Sequence, residues 1–285
     1  MMNSSLILSI TTFLYGLAAF LYIFAWVFKK PSAGGPAMWV TIAGAVGNIS
    51  GILLRWFESY RLGFGHAPLS NLYESLAFFA FTTAVLYLVV EKKYQNRVIG
   101  AFTMPLIFAA MAYASLPVQY TGISDRIQPL IPALKSNWLI AHVITCFIGY
   151  AAFAVAFGVS LMYLAKKKSP FSEKSLLHYL PEPGVLDELT HQLIMFGFLF
   201  LSAGIITGAV WANSAWGRYW GWDPKETWSL ITWFMYATLL HARLMRGWRG
   251  KKVAYLSIFG FMAVLFTYFG VNLLPGLHSY GALGQ

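Results

Sequence analysis

SLILSITTFLYGLAAFLYIFAWVF, residues 5–28, has no charged side chain, and Lys29 and Lys30 follow it directly. A bilayer core about 30 Å thick is crossed by a helix of about 20 apolar residues. Because lipid satisfies no backbone hydrogen bond, such a run crosses the membrane only as a helix. No basic residue precedes it, so we predict a retained helix whose N-terminus lies outside, and not a signal peptide.

The whole chain resembles this run in composition. Of its 285 residues, 58% are hydrophobic and 11% are charged, whereas soluble domains carry about 25% charged residues. The sequence therefore excludes an ordinary soluble protein. We predict an all-α integral membrane protein that forms a single domain over residues 1–285. Its eight transmembrane helices are expected at about 5–28, 38–57, 71–90, 98–115, 138–165, 188–211, 226–246 and 253–274.

The positive charges indicate the orientation. With eight spans, fourteen of the 20 Lys and Arg residues fall on one side of the membrane and six on the other. The positive-inside rule makes the richer side cytoplasmic. Both termini and the loops near 58–70, 116–137 and 212–225 are then outside. The net charge of +10 reflects this topology and indicates no nucleic-acid partner.

Tryptophan is concentrated in one outer loop. Six of the eleven Trp residues lie in the Trp-rich segment, residues 211–233: Trp211, Trp216, Trp220, Trp222, Trp228 and Trp233. An interfacial aromatic belt is one interpretation. The cluster also suits a large planar ligand with acidic tails, such as haem, because indoles pack on the ring. Arg218 and Lys225 can pair with the propionates, and Gly217 and Gly221 leave room for the plane.

A start signal for the seventh predicted helix lies in the same segment. Asp223, Pro224 and Glu226 have the pattern of an N-cap, a proline at the first helical position and a capping-box glutamate. We assign them to helix capping and not to chemistry.

Histidines are the natural haem-iron ligands. His142, at the outer end of the fifth predicted helix, and His278, after the eighth, share the outer face with the Trp-rich segment. His241 lies near the inner end of the seventh helix, where an ionisable group is a functional hypothesis. His191 is also near the inner side, and a pair with His241 stays open, as does any role of His66.

Cysteine chemistry is excluded for this chain acting alone. Cys146 is the single cysteine, so the chain forms no internal disulfide and has no CxxC pair. Arg55, Glu58 and Glu74, at the outer ends of the second and third helices, are predicted to form a structural charge pairing.

Several segments resemble one family of haem-handling membrane proteins. WGRYWGWD, residues 216–223, fits the WGxxWxWD signature of the WWD proteins. The match extends through GAVWAN (208–213), DPKETWSLITW (223–233), PLSNLYES (68–75), the SNWLIAH run ending at His142, and LPGLHSYG around His278. Together these segments resemble the CcsA/ResC family of System II cytochrome c biogenesis.

The resemblance implies a function and a set of site residues. His142 and His278 are implied as external axial ligands of a haem that Trp216, Trp220, Trp222, Trp228 and Arg218 hold. His241 is implied as one ligand of an inner site through which haem passes outward. The implied activity is haem lyase: covalent attachment of haem b to the CxxCH of apocytochrome c, with a CcsB/ResB-like partner and with other proteins reducing the substrate thiols. The implied location is a bacterial inner membrane or, in a plastid, the thylakoid membrane, with the active face outward.

Three other functions stay open from the sequence. A haem exporter or chaperone of the CcmC type would present haem without attaching it. A membrane cytochrome b would carry electrons between two haems and needs a complete ligand pair on each side, whereas only the outer pair is complete here. A transporter of another substrate is disfavoured because the spans contain no acidic relay.

Overall fold

The computed structural model describes residues 3–168 and 175–274. Within them the chain forms α-helices, short 3-10 turns and connecting segments, and these described residues contain no β-strand. The helices are α1 (Ser4–Val27), α2 (Gly34–Arg61), α3 (Leu72–Tyr94), α4 (Val98–Ser115), α5 (Val118–Thr121), α6 (Asn137–Lys168), α7 (Pro183–Trp216), α8 (Pro224–Arg246) and α9 (Lys251–Tyr268).

Among the described residues, seven segments are long and apolar enough to cross a membrane: α1, Pro31–Arg61, α3, α4, Asn137–Lys167, α7 and Lys251–Leu273. This number differs from the eight spans expected. The run at 226–246 does form a helix, α8, but Glu226, His241, Arg243 and Arg246 make it less apolar than the others. A membrane crossing by α8, and with it the position of both termini, stays a prediction.

The chain divides by its contacts into two compact units. The first is Met1–Lys135 with Lys168–Pro181, and the second is Ser136–Lys167 with Glu182–Gln285. The expectation of a single domain therefore stays a prediction.

In the first unit, α1 packs on α2 and α4, and α3 packs on the same two helices. The Arg55 guanidinium contacts the Glu74 carboxylate at 2.7 Å, and both side chains are buried. Glu58 instead accepts from the backbone N–H of Ser4 at 3.0 Å, which caps the start of α1. The predicted charge pairing is confirmed for Arg55 and Glu74.

In the second unit, glycines bring α6 and α7 close together. A Cβ added at Gly149 would lie 3.0 Å from the backbone oxygen of Gly197, and one at Gly197 would lie 2.6 Å from the Phe153 ring. Further along, a Cβ at Gly204 would lie 2.5 Å from the Cys146 sulfur. The two helices thus meet with backbone against backbone, which fixes how each is rotated toward the other.

Helix α8 packs on α7 and α9. Tyr236 stacks on Phe153 with ring centroids 3.6 Å apart and planes inclined by 6°. At the C-terminal end of α8, Arg243 forms ion pairs with Asp187 at 2.7 Å and Glu188 at 3.0 Å. These contacts place the start of α7 beside the end of α8.

Candidate haem-binding site

His142 is held by the helix that faces it. It lies in the second turn of α6, and its Nδ1 is 2.7 Å from the backbone oxygen of Gly204 in α7. A carbonyl oxygen only accepts, so Nδ1 carries the proton and donates it. The Nε2 lone pair of the neutral ring is then free. A backbone carbonyl that accepts from the other ring nitrogen is one of the common ways in which a metal-binding histidine is oriented.

Two glycines of α7 make room for this imidazole. A Cβ at Gly208 would lie 2.6 Å from Nδ1 and 2.7 Å from Cε1 of His142. Gly204, one turn earlier, supplies the acceptor and lies against Cys146. Any larger residue at position 208 would push the ring out of its place. Neither glycine was among the predicted site residues.

An aromatic path leads from His142 to the end of α7. The imidazole lies nearly parallel to the indole of Trp211, with centroids 6.0 Å apart and planes inclined by 13°. Trp211 is buried, and it meets Trp216 edge to face at a centroid distance of 4.9 Å. The structure therefore joins His142 to the first third of the Trp-rich segment.

Helix α7 ends at Trp216 because Gly217 takes a left-handed conformation, φ +72°, and its N–H donates to the oxygen of Asn213 at 2.9 Å. No described atom outside its local chain would lie within 4 Å of a Cβ at Gly217, which agrees with the space expected there. Gly221 differs, since a Cβ there would lie 2.8 Å from the guanidinium of Arg218. Arg218 is exposed and lies across the loop at this point.

Trp222 is held in a strained, outward position. Its φ is +57°, a region that bulky residues rarely adopt, and its side chain is 70% exposed. Glu226 Oε2 accepts from the N–H groups on both sides of it, Gly221 at 2.7 Å and Asp223 at 3.1 Å. The capping box is thereby confirmed, with Asp223 accepting from Lys225 N at 2.9 Å. Glu226 also has a second role that the sequence did not indicate, because it holds the backbone around Trp222.

Trp220 contributes a buried polar atom without a protein partner. It meets Trp222 edge to face at 5.7 Å, and its indole Nε1 finds no acceptor among the described residues. An orphaned N–H of this kind costs free energy and is suited to an acceptor that a ligand brings. A haem propionate is such an acceptor.

The last two tryptophans of the segment pack between helices. Trp228 contacts Phe266 of α9 with centroids 4.2 Å apart. Trp233 donates from Nε1 to the Ser202 hydroxyl of α7 at 2.8 Å. A direct contact of Trp228 with haem stays a prediction.

The other histidines occupy different surroundings. His278 lies outside the described residues. His241 is exposed on α8, whereas Arg243, two positions later, is buried and pairs with Asp187 at the start of α7. His191 is buried, and its Nδ1 has no hydrogen-bond partner among the described residues. In the first unit, both ring nitrogens of His66 lie near carbonyl oxygens, Ala67 at 3.1 Å and Gln128 at 2.9 Å, so His66 offers no free nitrogen to a metal.

The side chains at this site suit a metal bound in a porphyrin and not a bare metal ion. No group of three or more His, Cys, Asp or Glu side chains within the described residues could hold a bare ion. One free imidazole nitrogen, a row of indoles and an exposed guanidinium match an iron porphyrin, which needs only axial ligands from the protein. The described residues therefore fit haem at the His142 end of the site.

Comparison with known families gives a consistent result. Residues 69–278 match the family model described as cytochrome C assembly protein. A "Cytochrome c biogenesis protein CcsA" of Heterosigma akashiwo is 41% identical over 269 residues, covering 82% of this chain and 83% of that protein. The protein of the same description from Prochlorococcus marinus (strain NATL1A) is 39% identical over 300 residues, covering 93% of each chain.

A solved structure shares the fold. It is described as "Cytochrome c Heme Lyase CcmF" and superposes with a TM-score of 0.67 at 16% sequence identity. The similarity covers 96% of this chain but 51% of that chain, so this protein corresponds to about half of it.

Proposed function

Because this chain belongs to the cytochrome c assembly protein family, as its resemblance to CcsA/ResC predicted, we propose that it is the haem-handling component of a cytochrome c haem lyase. In this proposal it moves haem to the outer face of the membrane, holds it there and attaches it to apocytochrome c. The observation that carries the proposal is the hydrogen bond from His142 Nδ1 to Gly204, which leaves Nε2 free to bind iron.

Several residues of the chain would contribute to haem binding, each in a different way. His142 and His278 would be the axial ligands from opposite faces. Trp216, Trp220 and Trp222 would pack on the macrocycle, with Trp228 behind them and Arg218 paired with a propionate. His241 would be one ligand of a separate inner site during passage outward.

Attachment requires no net oxidation or reduction. Each substrate thiol adds across a vinyl group, so that sulfur bonds to one vinyl carbon and the thiol hydrogen ends on the other. The protein's contribution is position, because holding thiol and vinyl groups together converts an intermolecular reaction into an effectively intramolecular one. The substrate thiols must arrive reduced, and Cys146, buried and single, has no partner with which to reduce them.

The partner and location follow from the same proposal. The second inner ligand would come from a CcsB/ResB-like membrane partner. The excess of Lys and Arg on one side supports an outward-facing haem site, with α8 as the eighth span. Relatives from a cyanobacterium and from the alga Chlamydomonas reinhardtii favour an inner or thylakoid membrane.

An absorption spectrum of the purified protein, co-expressed with its partner, tests the proposal. We expect haem bands and matured cytochrome c for the wild type, and loss of both the outer haem and maturation for the His142→Ala/His278→Ala variant. Added imidazole should partly restore both. His178→Ala, a histidine change in the first unit, is the matched control and should behave as wild type.

Two outcomes would change the assignment. If the double variant matures cytochrome c normally, the ligand assignment is wrong and the Trp-rich segment is an interfacial belt. If the wild type loads haem on a substrate without forming thioether bonds, measured by the pyridine haemochrome spectrum, the protein is a haem chaperone.

A further inference from the structure

The first unit contains a cavity of about 600 Å³ at the end where α1 begins and α4 ends. This volume is in the range of ligand-binding pockets. Its floor is formed by the end of α4 and the start of α5, residues 114–118, with Ser9 of α1 and Tyr73 of α3. Its remaining wall is formed by residues of the segment that follows α5, Ile123, Ser124, Asp125, Arg126 and Gln128.

That wall segment, residues 122–131, contains no helix, strand, turn or bend. Most of its backbone groups are unpaired: the N–H groups of Ser124, Asp125, Ile127 and Gln128 have no acceptor among the described residues. Unpaired backbone N–H and C=O groups in a segment without helix or turn are available to pair with another polypeptide.

The segment is nevertheless anchored at both ends. At its start, the N–H of Ile123 donates to the Thr121 hydroxyl at 3.2 Å, and the Ile123 side chain is buried. Near its other end, the carbonyl of Gln128 is 2.9 Å from His66 Nε2. His66 is itself fixed, because its backbone N–H donates to the Ser59 hydroxyl at 2.9 Å. An anchored segment keeps its shape without an occupant and lowers the entropy cost of binding one.

The chemistry of the lining favours a polypeptide over lipid chains. Asp125 and Arg126 supply one charge of each sign, and Ser9, Ser115 and Tyr73 supply hydroxyl groups beside apolar side chains. Of these groups only Tyr73 is buried, whereas Ser115, Asp125 and Arg126 are exposed. A hydrocarbon chain in the cavity would displace water from these polar groups without replacing its hydrogen bonds. Peptide backbone and mixed side chains, in contrast, can satisfy groups of every kind present.

We propose that this cavity binds an extended segment of the acceptor polypeptide, pairing with residues 123–128. The proposal rests on the proposed function and deepens it by assigning to the first unit a binding site for the protein substrate. A polypeptide whose thiols must be presented to haem has to be held unfolded around them, and an extended-segment site does this.

Photo-crosslinking tests the location. p-Benzoylphenylalanine replaces Ser124 in the lining or, as the matched control, Tyr120. Tyr120 lies in the preceding helix α5, is 75% exposed and is outside the lining. The full-length protein in nanodiscs is irradiated with reduced, haem-free apocytochrome c or with folded holocytochrome c. We expect an adduct with apocytochrome from position 124, at least about fivefold more than from position 120 or with holocytochrome.

Charge reversal tests the chemistry by titration with labelled apocytochrome. Arg126→Asp should weaken binding at least threefold, a change of the size that one exposed ion pair supports. Lys135→Asp makes the same charge change on an exposed residue outside the lining and should leave affinity within about twofold. His66→Ala, which frees the Gln128 carbonyl, should also weaken binding. Circular dichroism of each variant shows whether it has kept its helices.

The outcomes separate this proposal from the proposed function. Apocytochrome captured at position 124 in the His142→Ala background as well would support the peptide site whatever becomes of haem ligation. Normal haem attachment with no adduct at position 124 would overturn the peptide site alone. Adducts only with phospholipid of the nanodisc would overturn it in favour of a lipid site.

Discussion

Replacement of Gly208 by alanine tests how closely His142, the proposed haem ligand, is positioned. The added Cβ would lie 2.6 Å from Nδ1 of His142, whereas ordinary contacts begin at 3.4 Å. The ring must therefore retreat from α7 by about 0.8 Å to relieve the overlap. Since the acceptor, Gly204, is also on α7, such a retreat stretches the 2.7 Å hydrogen bond to about 3.5 Å, beyond the normal range.

Without the hydrogen bond to Gly204, the imidazole of His142 can rotate, and the proton is no longer fixed on Nδ1. Nε2 is then no longer always the unprotonated nitrogen. We expect haem retained after purification to fall about tenfold, equivalent to about 1.4 kcal/mol. Thioether formation should fall further, by about 100-fold, because a displacement near 1 Å at a reacting centre costs that much. The assays are the haem-to-protein ratio by pyridine haemochrome and the yield of matured cytochrome c.

Two glycines of the same helix are matched controls. Gly184→Ala adds a methyl where no described atom lies within 4 Å and should keep full haem content. Gly197→Ala overlaps Phe153 at 2.6 Å and should lower the thermal midpoint without selectively removing haem from the protein that folds. If Gly208→Ala retains haem as Gly184→Ala does, the positioning argument is refuted.

Two further predictions concern single carboxylates. Glu226→Ala removes the acceptor shared by the backbone N–H groups around Trp222, so the Trp222 φ should relax and the loop should lose about 1 kcal/mol of stability. Fluorine NMR of protein labelled with 5-fluorotryptophan should show the Trp222 resonance shift and broaden. An unchanged resonance would contradict the role of Glu226 in holding this backbone. Glu74→Gln leaves Arg55 buried without an anion and should lower the free energy of unfolding by about 3–5 kcal/mol. Glu188→Gln changes a half-exposed ion pair and should lower it by less than about 1 kcal/mol. Thermal unfolding in detergent compares the two variants, and equal losses of stability would be inconsistent with a buried Arg55–Glu74 pair.

The helices could be predicted from sequence because apolar length alone determines them. Each of the eight predicted runs falls on a helix of the structure, although α7 continues past the predicted end at 211 to Trp216. It does so because its stop signal is Gly217, six residues later. Helix α8 is less apolar than the seven candidate segments for a different reason: Lys225, Glu226, His241, Arg243 and Arg246 fall among its 23 residues.

The site could be predicted in its residue types but not in its contacts. His142 and the Trp-rich segment follow from composition and from the resemblance. The Gly204 acceptor lies 62 positions from His142, and the Gln128 acceptor 62 positions from His66. Such bonds depend on how each helix is rotated and on where a loop returns. No periodicity along the chain encodes either, so only the folded structure gives them.

The glycine contacts between α6 and α7 limit how this protein can evolve. A smaller side chain at 153 would relieve most of the overlap of a Cβ at 197, and one at 146 most of the overlap at 204, although contacts of 3.1 Å and 3.3 Å with backbone atoms of α6 would stay. In an alignment of relatives, the pairs 153/197 and 146/204 are therefore expected to vary together. Position 208 has no such exchange, because the side chain facing it is the imidazole of His142. Relatives that keep the histidine are therefore expected to keep glycine at position 208, even where the surrounding residues differ.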